Sequence, residues 1–123
     1  MKTKAIIEVA GAPKEHIENV IKEIVEKIKN EKDIERFKIF EAQEKDKMFF
    51  TFTEIELNFK NFEEISGFCF DYFPSSIEIL EENVDVKREE LENTLNDLLA
   101  KLHQYDMDLK NLKAENIMLK KNT

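Results

Sequence analysis

The sequence predicts an α+β domain followed by one long C-terminal helix. Strand-like and helix-like apolar patterns alternate through the first 82 residues, whereas leucines recur at seven-residue spacing after residue 90. Only two Gly and two Pro occur in 123 residues, so the regular elements are expected to be long and the loops short. The 41% hydrophobic content, with ten Phe, is enough for one packed core.

Residues 4–10, KAIIEVA, are β-branched and partly alternating, as in a short strand. GAP then breaks the strand, and Pro13 suits a helix start because its missing N–H has no helical partner to lose. From Lys14 to about Asn30, Ile17, Val20, Ile21, Ile24, Val25 and Ile28 form one helical stripe. Residues 36–42 and 48–59 read as a hairpin joined by EKDK. The second of these strands changes phase. Met48, Phe50 and Phe52 share one parity and Ile55, Leu57 and Phe59 the other, so either a bulge near Thr53–Glu54 or a strand with apolar neighbours on both faces is expected. A short helix over 61–73 follows, with Asn61 as its cap and Glu64 three residues on, and SSIEIL supplies a last strand.

The resulting order, β-α-β-β-α-β, resembles the ferredoxin-like split βαβ fold. That resemblance implies four antiparallel strands with both helices on one face and does not fix a function. Ile6, Phe40 and Phe49 are expected on the second face, covered there by the C-terminal helix or by another copy of the chain. The domain is placed at 1–82 and the helix at 83–123. The first carries 12 Lys/Arg against 19 Asp/Glu, net −7, and the second 7 against 8, net −1.

No Gly or Pro occurs from Val86 on, and Asp85 is a candidate cap. Leu91, Leu95, Leu98, Leu102, Tyr105, Leu109, Leu112, Asn116 and Leu119 are spaced alternately by four and three, an unbroken heptad seam about 42 Å long. Leu95, Leu102, Leu109 and Asn116 occupy a, and the others d. Asn at a single a position sets register by pairing with its symmetry mate. In a parallel pair Lys101 meets Asp106, Asp108 meets Lys113 and Glu115 meets Lys120, all opposite in sign. A homodimer through this seam is therefore expected. The competing reading folds the helix back onto its own domain, which Leu99 favours by widening the stripe early in the helix; Ile117 and Met118 widen it again at the end, which fits a tetramer or a capping contact.

The stretch GFCFDYFPSS (67–76) groups Cys69 with Asp71, Tyr72 and Ser75, yet no basic residue lies between Lys60 and Lys87 to hold a thiolate. Ile65, Phe68, Cys69 and Tyr72 share one helical face, which is core geometry, and Gly67 suggests a close backbone approach. No catalytic residue is assigned. One Cys and two His, His16 and His103, do not make a zinc site, and neither a metal nor another cofactor is expected. The same element order occurs in the RNA-recognition motif, but KMFFTFTEI (47–55) lacks that motif's glycines, and the net charge of −8 disfavours nucleic acid. An ACT-like ligand-sensing domain is a further alternative. No stretch is long enough for a membrane span. A single Cys fits a reducing compartment, and the Lys- and Glu-rich usage occurs in thermophile proteins. The expectation is a cytoplasmic, non-enzymatic, homo-oligomeric adaptor whose acidic heads meet a protein partner.

Overall fold

The structure, a computed structural model, describes residues 1–121. Its elements are β1 (Lys2–Gly11), α1 (Lys14–Glu31), β2 (Ile34–Ile39), β3 (Gln43–Lys45), β4 (Met48–Asn58), α2 (Phe62–Tyr72), β5 (Ser76–Ile79) and α3 (Arg88–Lys121). The chain divides into two compact units, Met1–Val84 and a second from Asp85 onward.

The first unit is α+β. Its antiparallel sheet runs β2-β4-β1-β5, with β3 adding to β4 beyond the end of β2. The two longest strands, β1 and β4, pair along their whole length from Lys2↔Asn58 to Gly11↔Phe49. Alternation then sends Thr3, Ala5, Ile7, Thr53, Ile55 and Leu57 to one face, where all are buried. On this face the α1 stripe Ile21, Val25 and Ile28 packs with Ile65 and Phe68 of α2 and with Phe59, forming one apolar cluster. Phe68 lies 5.5 Å from Phe59 and 5.0 Å from Tyr72, centroid to centroid. Asn61 caps α2 by accepting a hydrogen bond from Glu64 N at 3.0 Å, while the Glu64 carboxylate accepts one from Lys60 N at 2.7 Å.

Several local expectations are corrected. Of the two arrangements expected for β4, the structure has the strand with apolar neighbours on both faces and no bulge at Thr53–Glu54; its register with β1 is unbroken, and the irregularity lies in β2 between Ile34 and Arg36. The strand expected over 36–42 ends at Ile39, and the hairpin to β4 is closed by β3 through Asp46 and Lys47, both at positive φ. That pair of left-handed residues makes a two-residue turn whose twist matches its strands. Phe49 shares the parity of Thr51 and Thr53, so it lies on the helix-bearing face rather than the second one. The backbone around Gly67 approaches nothing: a Cβ built there meets no atom within 4 Å. α3 begins at Arg88, not Val86, so Asp85 is not its cap; the first helical bond runs from Leu91 N to Lys87 O.

Candidate functional site

Two surfaces stand out, one in each unit. The first is α3. Its 34 residues include no buried side chain, although nine positions form the heptad seam. Exposure along the seam ranges from 42% at Leu98 to 67% at Leu119, and Leu91, Leu95, Leu102, Tyr105, Leu109 and Leu112 lie between. Leu99, Ile117 and Met118, beside the seam, are also exposed. Charged side chains on α3 pair along the helix. Asp106 meets Lys110 at 2.8 Å, Arg88 meets Glu92 at 2.8 Å, and Gln104 donates to Asp108 at 3.0 Å. Asp106 and Asp108, two of the residues assigned to interchain pairs, thus have partners on their own helix. Such exposed contacts each contribute under about 1 kcal/mol, so exchanging one for another costs little.

The second surface is the face of the sheet that carries no helix. Its lower half is a charged ladder. Register places Arg36, Glu56, Lys4 and Glu78 in one row across four strands, with signs alternating. Arg36 meets Glu56 at 2.8 Å, and Lys4 reaches Glu54 in the next row at 4.0 Å. Toward the β3 hairpin the face becomes aromatic. Phe40 and Phe52 stack with centroids 4.2 Å apart and planes 17° from parallel, and Lys38 Nζ lies 4.5 Å from the Phe40 centroid. Phe50 and Met48 beside them are 44% and 45% exposed.

This arrangement inverts the usual one. Thr51 and Thr53 point into the core, 2% and 0% exposed, while their aromatic neighbours point outward. The two hydroxyls are kept satisfied: Thr51 Oγ1 donates to Phe40 O at 2.6 Å and Thr53 Oγ1 to Lys38 O at 2.8 Å. A shift of one residue would bury Phe50 and Phe52 instead. The ladder is set by β1 and β2, whose buried Ala5 and Ile7 and partly buried Ile39 hold β4 in place. Of the rings expected on the helix-free face, Phe40 is there and Phe49 is not; Phe50 and Phe52 take its place.

The Cys69 neighbourhood packs against the core. Phe68 and Ile65 are buried, Cys69 and Tyr72 are half-buried against the core, and burial pushes the Cys69 thiol pKa up. Phe73 closes α2 in the left-handed conformation, its N–H donating to Cys69 O at 3.0 Å, and its ring is exposed. Among the described residues, no group of three or more His, Cys, Asp or Glu is placed to hold a metal ion, and no helix is long and apolar enough to cross a membrane.

The molecule is thus an α+β sheet domain joined to a long helix with a heptad leucine seam. It belongs to the MJ0538 family, which it matches over residues 2–121. No curated protein and no solved structure matches the chain.

Proposed function

We propose that the protein is a homodimeric, non-enzymatic adaptor: α3 pairs in parallel with its copy, and the two acidic heads are presented together to a protein partner. The observation that carries this reading is the wholly exposed seam of α3, eight large apolar side chains and one Asn at heptad spacing. An apolar stripe of this length calls for cover, and a second identical stripe supplies it knob into hole. For the head, the antiparallel order β5-β1-β4-β2 and the shared core face of α1 and α2 support the ferredoxin-like arrangement, with β3 as an addition beside β4.

Light scattering on the full chain and on the double variant Leu102→Glu/Leu109→Glu tests the dimer. The parent is expected at twice the chain mass and the variant at the chain mass, with unchanged head folding by near-ultraviolet circular dichroism. A parent that runs as a monomer at tens of micromolar ends the proposal. Affinity capture from native cells then tests the partner class.

RNA binding is a second reading, favoured by one observation: Phe50 and Phe52 of a central strand project from the helix-free face, where bases could stack. Glu8 and Glu54 flank Phe52 and would repel phosphates, so this reading ranks below the first.

A further inference from the structure

The outward rings of β4 need an explanation that the α3 seam does not give. Phe40, Phe50, Phe52 and Met48 occupy one end of the helix-free face, and the chain buries two threonine hydroxyls to keep them there. We propose that, in the α3-paired dimer, these patches on the two heads meet each other. The inference rests on the dimer of the preceding section.

Three features favour a second copy as the occupant. The first is size. A phenylalanine presents on the order of 150–200 Å² when fully open. With Phe50 and Met48 near 45% exposed and Phe40 and Phe52 half-buried, the patch offers roughly 300 Å² per copy. Stable complexes of separate proteins bury about 800 Å² per partner, so this patch holds nothing tightly by itself.

The second is tethering. Eight residues, 80–87, separate β5 from α3, which limits each head to roughly 28 Å from the start of the coil. Linkers of that length give local concentrations of order mM, at which a contact too weak for free partners is still populated. A foreign partner at micromolar concentration would have to bind far more tightly through the same small area.

The third is charge. The rim carries Lys38 and Lys45 with Glu8 and Glu54, two of each sign, on the same face as the rings. A balanced rim is compatible with its own twofold copy, whereas a rim of one sign would repel it. The same balance disfavours a polyanion.

The test places a spin label at the rim of the full chain, using Lys45→Cys with Cys69→Ser, and measures label-to-label distances by double electron–electron resonance. Light scattering is run on the same samples. A single narrow distance in the parent, broadened in Phe50→Ser/Phe52→Ser without change of mass or loss of helix signal, is the expected result. If the double variant does not fold, Phe50→Ser alone, at the more open ring, takes its place. A broad distribution in a parent of dimer mass overturns the head-to-head contact and leaves the α3 dimer standing. A narrow distance that survives the Phe substitutions also overturns it, because other groups then hold the heads. A parent of monomer mass overturns both readings. Single-stranded RNA binding by the parent, measured by anisotropy and abolished in the Phe variant, would assign the patch to RNA and overturn the contact.

Discussion

Tyr72 ties the end of α2 to the end of α1. Its hydroxyl donates to Glu31 Oε2 at 2.5 Å, and Lys27 Nζ lies 5.7 Å from the ring centroid. Burial, the hydrogen bond to Glu31, and the negative charges of Glu31 and Asp71 push the phenol up to about 12 from its ordinary 10.0. The folded chain therefore holds this proton more tightly than the unfolded chain does. The stabilisation is fully present below pH 10 and is lost as pH climbs toward about 12. Tyr72→Phe is expected to cost about 0.5–1 kcal/mol at neutral pH, as an exposed charged acceptor loses its donor. It should also flatten the fall in stability across that alkaline window. Urea midpoints at neutral and alkaline pH check both; an unchanged alkaline slope would remove Tyr72 from the account. At this scale the core was legible where chemistry and periodicity agreed, as at Ile65, Phe68 and Cys69. Thr51 and Thr53 were not legible as core, because the acceptors that make their burial tolerable, Lys38 O and Phe40 O, come from β2 and the residue just past its end.

Among the elements, α2 holds two residues with opposite leverage on its stability. Asn61 satisfies an otherwise unpaired N–H at the helix start, so Asn61→Ala is expected to destabilise by about 1 kcal/mol and Asn61→Asp to be close to neutral. Gly67 sits in the helix interior with open space where a side chain would go, so Gly67→Ala should stabilise by about 0.5–1 kcal/mol. Thermal or denaturant unfolding with an unchanged m-value reads each change; a loss on Gly67→Ala would show that an unseen contact needs the glycine. α1 and α2 were legible because their stripes, and the Asn61 cap of α2, are local. The division between β2 and β3 was not. Phe40 N still donates to Phe52 O at 3.0 Å, so the chain keeps beside β4 and leaves the ladder only around Glu41 and Ala42, where Ala42 is buried. Such a short departure leaves no gap in an apolar pattern.

For the whole molecule the open question is direction, and two electrostatic arguments on α3 oppose each other. Residues 88–108 carry Arg88 and Lys101 against Glu89, Glu90, Glu92, Asp97, Asp106 and Asp108, whereas residues 109–121 carry Lys110, Lys113, Lys120 and Lys121 against Glu115. An acidic half and a basic half would favour antiparallel pairing if long-range attraction ruled. It does not, because the screening length at physiological salt is about 8 Å, a small part of a helix roughly 50 Å long. What remains are contacts across the seam. Parallel pairing places Lys101, Asp108 and Glu115 against opposite charges and Asn116 against its own copy. The antiparallel register with fullest overlap sets Asn116 against Leu91, although it brings Glu92 against Lys113 and Lys101 against Asp108. An unpaired buried amide alone costs about 1–3 kcal/mol, more than a few exposed ion pairs return. Parallel pairing is the expected outcome. In a Cys69→Ser background, Leu91→Cys and Leu119→Cys should each form an interchain disulfide under mild oxidation, since both d positions face their own copies. A mixture of Leu95→Cys and Leu112→Cys chains that crosslinks to each other, while each variant alone does not, would establish the antiparallel arrangement instead.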